Sequence, residues 1–152
     1  AERELATTLV CALIEPSGPE TLRVYAVGVG DSGVWILRDG EFVPVLGGKS
    51  ELEGGISSSA VAGLPRVPNE LVPAVVEVAV GEVLLLGTDG IGDPLGSGQG
   101  GVGNLFRELF STGGAPSLVE FANAVDFSRE TFDDDRTLIA VIPRADVDTQ
   151  TS

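Results

Sequence analysis

With 152 residues and 43% hydrophobic content, the chain is long enough for one globular domain with a core and too apolar to be disordered. Nine basic against 23 acidic residues leave a net charge of −14, which repels phosphate backbones and acidic membranes and argues against nucleic-acid binding. Histidine is absent; that removes Ser-His-Asp and Cys-His catalysis and most zinc sites, leaving carboxylates, hydroxyls, Lys, Arg or an oxygen-bound metal to carry any chemistry.

The charged start Ala1-Glu2-Arg3-Glu4 leads straight into a strand-like run, a pattern expected of a chain without a signal peptide. Residues 7–15 form that first run, and the single Cys11 within it reads as a small core residue. Pro16-Ser17-Gly18-Pro19 reads as a turn. From Leu22 to Val29 apolar and polar residues alternate, as in a half-buried strand. Val34 to Arg38 is a third strand, Asp39-Gly40 a hairpin signal, and Phe42 to Leu46 the returning strand, so the first half predicts an antiparallel meander. Residues 47–74, rich in Gly, Ser and Pro, read as a long irregular segment over the surface. A short strand over Val75–Val80 and an apolar one over Val83–Leu86 follow. Residues 96–103 read as a loop, with Asn104 capping a helix from Leu105 to about Ser111. Ser117 and Glu120 form a capping-box pattern for a second helix reaching Phe127. The last strand is expected over residues 137–143, followed by a polar tail. No apolar stretch approaches the ~20 residues that span a bilayer, and with a single cysteine a cytoplasmic location is the expectation.

Two motifs in this chain are decoys. Gly28-Val29-Gly30-Asp31-Ser32-Gly33 matches the G-x-G-x-x-G of dinucleotide sites, but that motif needs a helix next, with its N-terminus toward the pyrophosphate. A strand, Val34-Trp35-Ile36-Leu37, follows instead. Gly30-Asp31-Ser32-Gly33 also spells a serine-protease nucleophile region, and without histidine it has no base of that kind.

The informative features are acidic turns bordering apolar strands. Asp89, in Thr88-Asp89-Gly90, follows Val83–Leu86; Asp134, in Asp134-Asp135-Arg136-Thr137, precedes Leu138–Ile142; Asp31 follows the second strand. Carboxylates gathered at the ends of core strands are costly unless a cation lies between them. Three carboxylates plus water suit Mg²⁺ or Mn²⁺, which prefer oxygen ligands and retain part of their hydration.

The order of these turns resembles the metal-dependent Ser/Thr protein phosphatases of the PP2C (PPM) type. Ala6-Thr7-Thr8 resembles the family's Gly-Thr-Thr strand start, and Val27-Gly28-Val29-Gly30-Asp31-Ser32 its Asn-x-Gly-Asp-Ser-Arg turn. Leu84-Leu85-Leu86-Gly87-Thr88-Asp89-Gly90-Ile91-Gly92-Asp93 resembles its Ser-Asp-Gly-x-x-Asp element, and Asp134-Asp135-Arg136-Thr137-Leu138-Ile139 its Asp-Asn-x-Thr ending. The resemblance implies an α+β fold, an antiparallel β-sandwich flanked by helices, and a phosphoprotein phosphatase in which two metal ions activate a bridging water. It implies that Asp89 and Asp134 hold the two-metal centre, that Asp31 helps hold a third metal as in bacterial-type members, and that Asp93 and Asp135 support them.

The family's Asp-Gly-x-Gly-Gly motif, whose Asp bridges both metals, has no counterpart in these residues, nor has its phosphate-binding Arg; Gly33 stands where Arg is usual. Residues 1–144 therefore read as the C-terminal portion of such a domain with its N-terminal part missing, and 145–152 as a tail. The piece alone is expected to be inactive and to bind metal weakly. The alternative is a non-catalytic pseudophosphatase or regulatory interaction domain. One pair of helices covers one sheet only, so an exposed apolar sheet face is expected, to be buried by the missing segment, a second copy or another protein.

Overall fold

A computed structural model of the chain describes residues 7–47, 64, 71–111, 114–127 and 134–145. Two antiparallel sheets pack face to face. One carries β1 (Leu9–Gly18), β2 (Thr21–Val29) and β5 (Ala74–Ala79) in the order β1-β2-β5. The other carries β3 (Gly33–Arg38), β4 (Glu41–Leu46), β6 (Val83–Gly87) and β7 (Leu138–Val141) in the order β4-β3-β6-β7. Helices α1 (Asp89–Leu95), α2 (Gly101–Phe110) and α3 (Leu118–Val125) lie over the second sheet.

Alternation along β3 and β6 explains this layering. Val34, Ile36, Leu84 and Leu86 meet Val24, Ala26 and Val78 of the facing sheet. Trp35, Leu37, Val83 and Leu85 point the other way, onto Ile91, Leu95, Val102 and Phe106 of the helices. Both faces of these strands are covered, which is why they read as unbroken apolar runs. Each fully buried Leu or Ile there contributes about 1.5–3 kcal/mol relative to an exposed one.

Several sequence expectations change. The first four strands are not one meander: they form two hairpins in different sheets, and the chain passes between the sheets at Gly30–Ser32. Periodicity reports which way a side chain faces but not which sheet its strand joins. β1 runs through Pro16 to Gly18, with a register shift between Pro16 and Gly18, and the turn is confined to Pro19 and Glu20. Cys11 is exposed, not core, because Val10, Ala12 and Ile14 take the inward positions of β1. α1 begins within the Thr88-Asp89-Gly90 turn and runs on to Leu95, where the sequence predicts no helix, and α2 starts at Gly101, capped by Gly100 and not by Asn104. Gly103 permits that early start, since a Cβ there would lie 1.8 Å from the Gly98 carbonyl oxygen. The capping box at α3 is present in full: Ser117 Oγ accepts from the Glu120 amide and the Glu120 carboxylate accepts from the Ser117 amide. Most of the irregular segment over 47–74, Ala6 of the first motif and most of the polar tail lie outside the described residues.

The outer face of the three-stranded sheet carries no helix among the described residues. Leu13 is 66%, Val75 54% and Leu9 48% exposed. Leu13, Tyr25 and Val75 lie in one cross-strand row, and the next row, Glu15, Arg23 and Glu77, is charged.

Candidate metal site at the sheet end

Strand register gathers the acidic turns. Gly33, the first residue of β3, pairs with Gly87, the last of β6, and Gly87 pairs with Leu138, the first of β7. The segment before β3 (Asp31, Ser32), the one after β6 (Thr88, Asp89) and the one before β7 (Asp134 to Thr137) therefore leave the same end of the same sheet.

Two of these turns are bonded to each other. The Thr88 amide donates to the Thr137 carbonyl at 3.1 Å, and the Thr137 amide donates back to Thr88 Oγ1 at 3.1 Å. Thr88 Oγ1 donates to the Asp135 carbonyl at 3.4 Å. Gly90 fits because it lacks a side chain: a Cβ would lie 2.5 Å from the Asp135 carbonyl oxygen and 3.2 Å from that of Asp134. Asp89 Oδ1 accepts from the Gly90 amide at 2.8 Å, fixing the carboxylate at the first turn of α1. Asp89 is half-buried, and Asp134 and Asp135 are exposed.

The Arg136 side chain reaches the helix layer. Its guanidinium donates to the Val125 and Phe127 carbonyls at the end of α3 and lies 4.0 Å from the Phe127 ring centroid, so the cation anchors the Asp134–Thr137 segment to the helix layer. An open cavity of about 640 Å³ lies alongside, lined by the apolar Phe121, Val125 and Leu138, by Asp126, Asp134 and Asp135, and by Arg136.

Asp31 reaches the same end by a different support. Gly30 adopts φ 100°, and a Cβ on it would collide with Thr8 at 2.4 Å. Thr8 Oγ1 and the buried Ser32 share a hydroxyl–hydroxyl hydrogen bond of 2.9 Å across the crossover. Asp31 itself is exposed. Asp93 lies on α1, one helical turn past Asp89, with an exposed side chain.

The donor chemistry fits a hard divalent ion: all candidates are carboxylates, and Mg²⁺ is commonly held by one or two of them while keeping several waters. A full protein cage is not formed among the described residues, where no three His, Cys, Asp or Glu side chains group closely enough to hold an ion. The sequence offers the carboxylates as candidates but not the residues that support them. Thr88, Gly90, Thr8 and Ser32 all lie inside quoted motifs, yet only the folded register reveals what they touch.

No protein-family model matches the sequence, and no curated relative does. Solved structures do. The chain is similar to PppA, a key regulatory component of T6SS in Pseudomonas aeruginosa, at 20% identity and a TM-score of 0.57, over 88% of this chain and 56% of that one. It is similar to the Mycobacterium tuberculosis serine/threonine phosphatase PstP/Ppp at 22% identity and a TM-score of 0.56, over 91% of this chain and 61% of that one. The chain thus spans less than two thirds of the length of either structure, and at these identities the likeness is one of fold: two antiparallel sheets with helices, arranged as in PP2C-type phosphatase domains.

Proposed function

We propose that the chain is the C-terminal portion of a metal-dependent phosphoprotein phosphatase domain acting on phosphorylated Ser or Thr, and that its acidic sheet end is part of the metal centre. The observation that carries this reading is the pairing of the Asp89 and Asp134 turns through Thr88 at one end of the β-sandwich. The fold shared with PP2C-type domains supports it.

In this reading Asp89 and Asp134 hold Mg²⁺ or Mn²⁺, and Asp31 contributes to a further ion. Bound divalent ions would supply Lewis-acid activation of water and stabilise charge on the phosphoryl oxygens. The chain's own contribution is placement: Thr88 and Gly90 hold two acidic turns in contact, Arg136 anchors one of them to α3, and Ser32 with Thr8 fixes the crossover carrying Asp31. The Asp-Gly-x-Gly-Gly ligands absent from this sequence come from a further segment, which also covers the outer face of β1, β2 and β5, or that face is covered by a second copy. The chain by itself is then inactive toward an aryl phosphate in Mn²⁺. A cytoplasmic setting fits; no described helix is long and apolar enough to cross a membrane.

The second reading is a non-catalytic interaction domain that uses the same fold. The lack of a three-ligand group and the exposed apolar side chains on the outer face of β1 and β5, both among the described residues, favour it. Thermal melts separate the two. The phosphatase reading expects Mn²⁺ to raise the melting temperature of the chain, and Asp89→Ala and Asp134→Ala to abolish the rise. An identical response in all three proteins would give the site to ordinary turn aspartates and favour the interaction domain.

A further inference from the structure

We infer that Thr88 is a positioning residue whose hydroxyl sets the spacing between the Asp89 and Asp134 carboxylates. The inference rests on the reading of this sheet end as a divalent-cation site.

A hydroxyl has one proton to give and lone pairs to accept with, and Thr88 uses both kinds of capacity across the gap between the turns. Its oxygen accepts the Thr137 N–H at 3.1 Å and its proton goes to the Asp135 carbonyl at 3.4 Å. The two partners, Asp135 and Thr137, flank Arg136, so one side chain holds both ends of a three-residue stretch. The clip is placed symmetrically with respect to the acids: Asp89 is the next residue after Thr88, and Asp134 is the residue before Asp135. The Thr88 backbone adds a third bond, its amide donating to the Thr137 carbonyl at 3.1 Å.

The ladder between β6 and β7 ends at the Gly87–Leu138 pair, one residue short of these turns. Beyond that pair a single backbone bond, from the Thr88 amide to the Thr137 carbonyl, continues the register, and the Thr88 hydroxyl supplies the remaining contacts between the turns. Thr88 is half-buried, and its partners Asp135 and Thr137 are exposed. Water can replace each partner of the hydroxyl when it is removed, so the fold tolerates the loss while the alignment of the two carboxylates does not. Alignment matters for a small ion because Mg²⁺-type coordination demands near-ideal geometry. Serine supplies the same donor and acceptor; valine keeps the shape and supplies neither.

The test is Mn²⁺ binding to the 152-residue chain, followed by electron paramagnetic resonance of free Mn²⁺, with melting temperatures recorded in the absence of metal. Wild type is expected to bind weakly, Thr88→Val at least fivefold more weakly, and Thr88→Ser within twofold of wild type, with metal-free melting temperatures close together. Equal affinity of Thr88→Val and wild type overturns the positioning role while leaving the cation site in place. Wild-type binding no tighter than that of Asp89→Asn removes the cation site and the inference with it. Amide exchange in the unsubstituted chain supplies a check independent of any variant: Thr137 N–H is expected to be protected, and exchange at the rate of a free amide overturns the proposal.

Discussion

Gly90 lies against the Asp135 carbonyl so closely that a Cβ on residue 90 would stand 2.5 Å from that oxygen. The oxygen is backbone, accepts a hydrogen bond from the Thr88 hydroxyl and precedes Arg136, which is anchored to the Phe127 carbonyl, so relief has to come from moving one acidic turn off the other. Gly90→Ala is therefore expected to destabilise the chain by about 1–3 kcal/mol, the usual cost of overpacking. Urea unfolding checks this. An unchanged midpoint would mean that the two turns are not in contact.

The pH dependence of stability has an identifiable contributor at the β5–β6 turn. Glu82 accepts from the Arg38 guanidinium, a pair supplemented by the Ala79 amide at 2.9 Å, and these interactions hold its carboxyl below the ordinary glutamate value. A depressed folded-state pKa favours the folded carboxylate. The resulting stabilisation is fully present above the unfolded pKa of about 4.3 and is lost as pH falls through the lower folded value. Arg38 is partly exposed, which limits the contribution to roughly 0.5–1 kcal/mol. Glu82→Gln is expected to cost that much at neutral pH and to converge with wild type in acid, as read from urea midpoints across pH 2–7. A constant difference at every pH would rule out the ion pair as the cause.

The two sides of the sandwich should respond oppositely to substitution. Leu85→Ala empties a site beneath the helices and is expected to cost about 2–5 kcal/mol. Leu13→Lys, at an exposed position on the outer face of β1, should change the stability of this chain by no more than about 0.5 kcal/mol. It should also reduce any binding of an apolar dye such as ANS. A large loss from Leu13→Lys would show that the face is already covered.

At α3 the capping box predicts about 1 kcal/mol of destabilisation for Ser117→Ala, since the hydroxyl pairs an N-terminal amide of the helix that otherwise depends on water. Chemical denaturation measures it.

Much of this architecture is legible in the sequence because its signals are local. Asp39-Gly40 announces a tight hairpin, and the backbone obliges with φ 51° and 78°. Ser117 and Glu120 announce a helix start. What escapes is decided by distant contacts. α1 contains two glycines and a proline, poor helix formers all, yet Ile91 and Leu95 are buried under Trp35 and Phe106, and Gly92 lets the helix pass close to the Trp35 ring. The partition of β1–β4 into two sheets is likewise invisible to periodicity. It depends on Gly30 and on the hydroxyl contact between Thr8 and Ser32, residues separated by a full hairpin. Of the candidate site, the carboxylates were legible as residue types beside strands. The contacts joining Thr88 to the far turn were not, because they span nearly fifty residues of sequence.

The most direct measurement is anomalous scattering from manganese in crystals of the chain soaked with Mn²⁺. A peak between the Asp89 and Asp134 carboxylates, close to the ~2.1 Å oxygen contacts typical of hexacoordinate divalent ions, is the predicted result. Carboxylates facing apart, with manganese density elsewhere or on neither, would contradict the account.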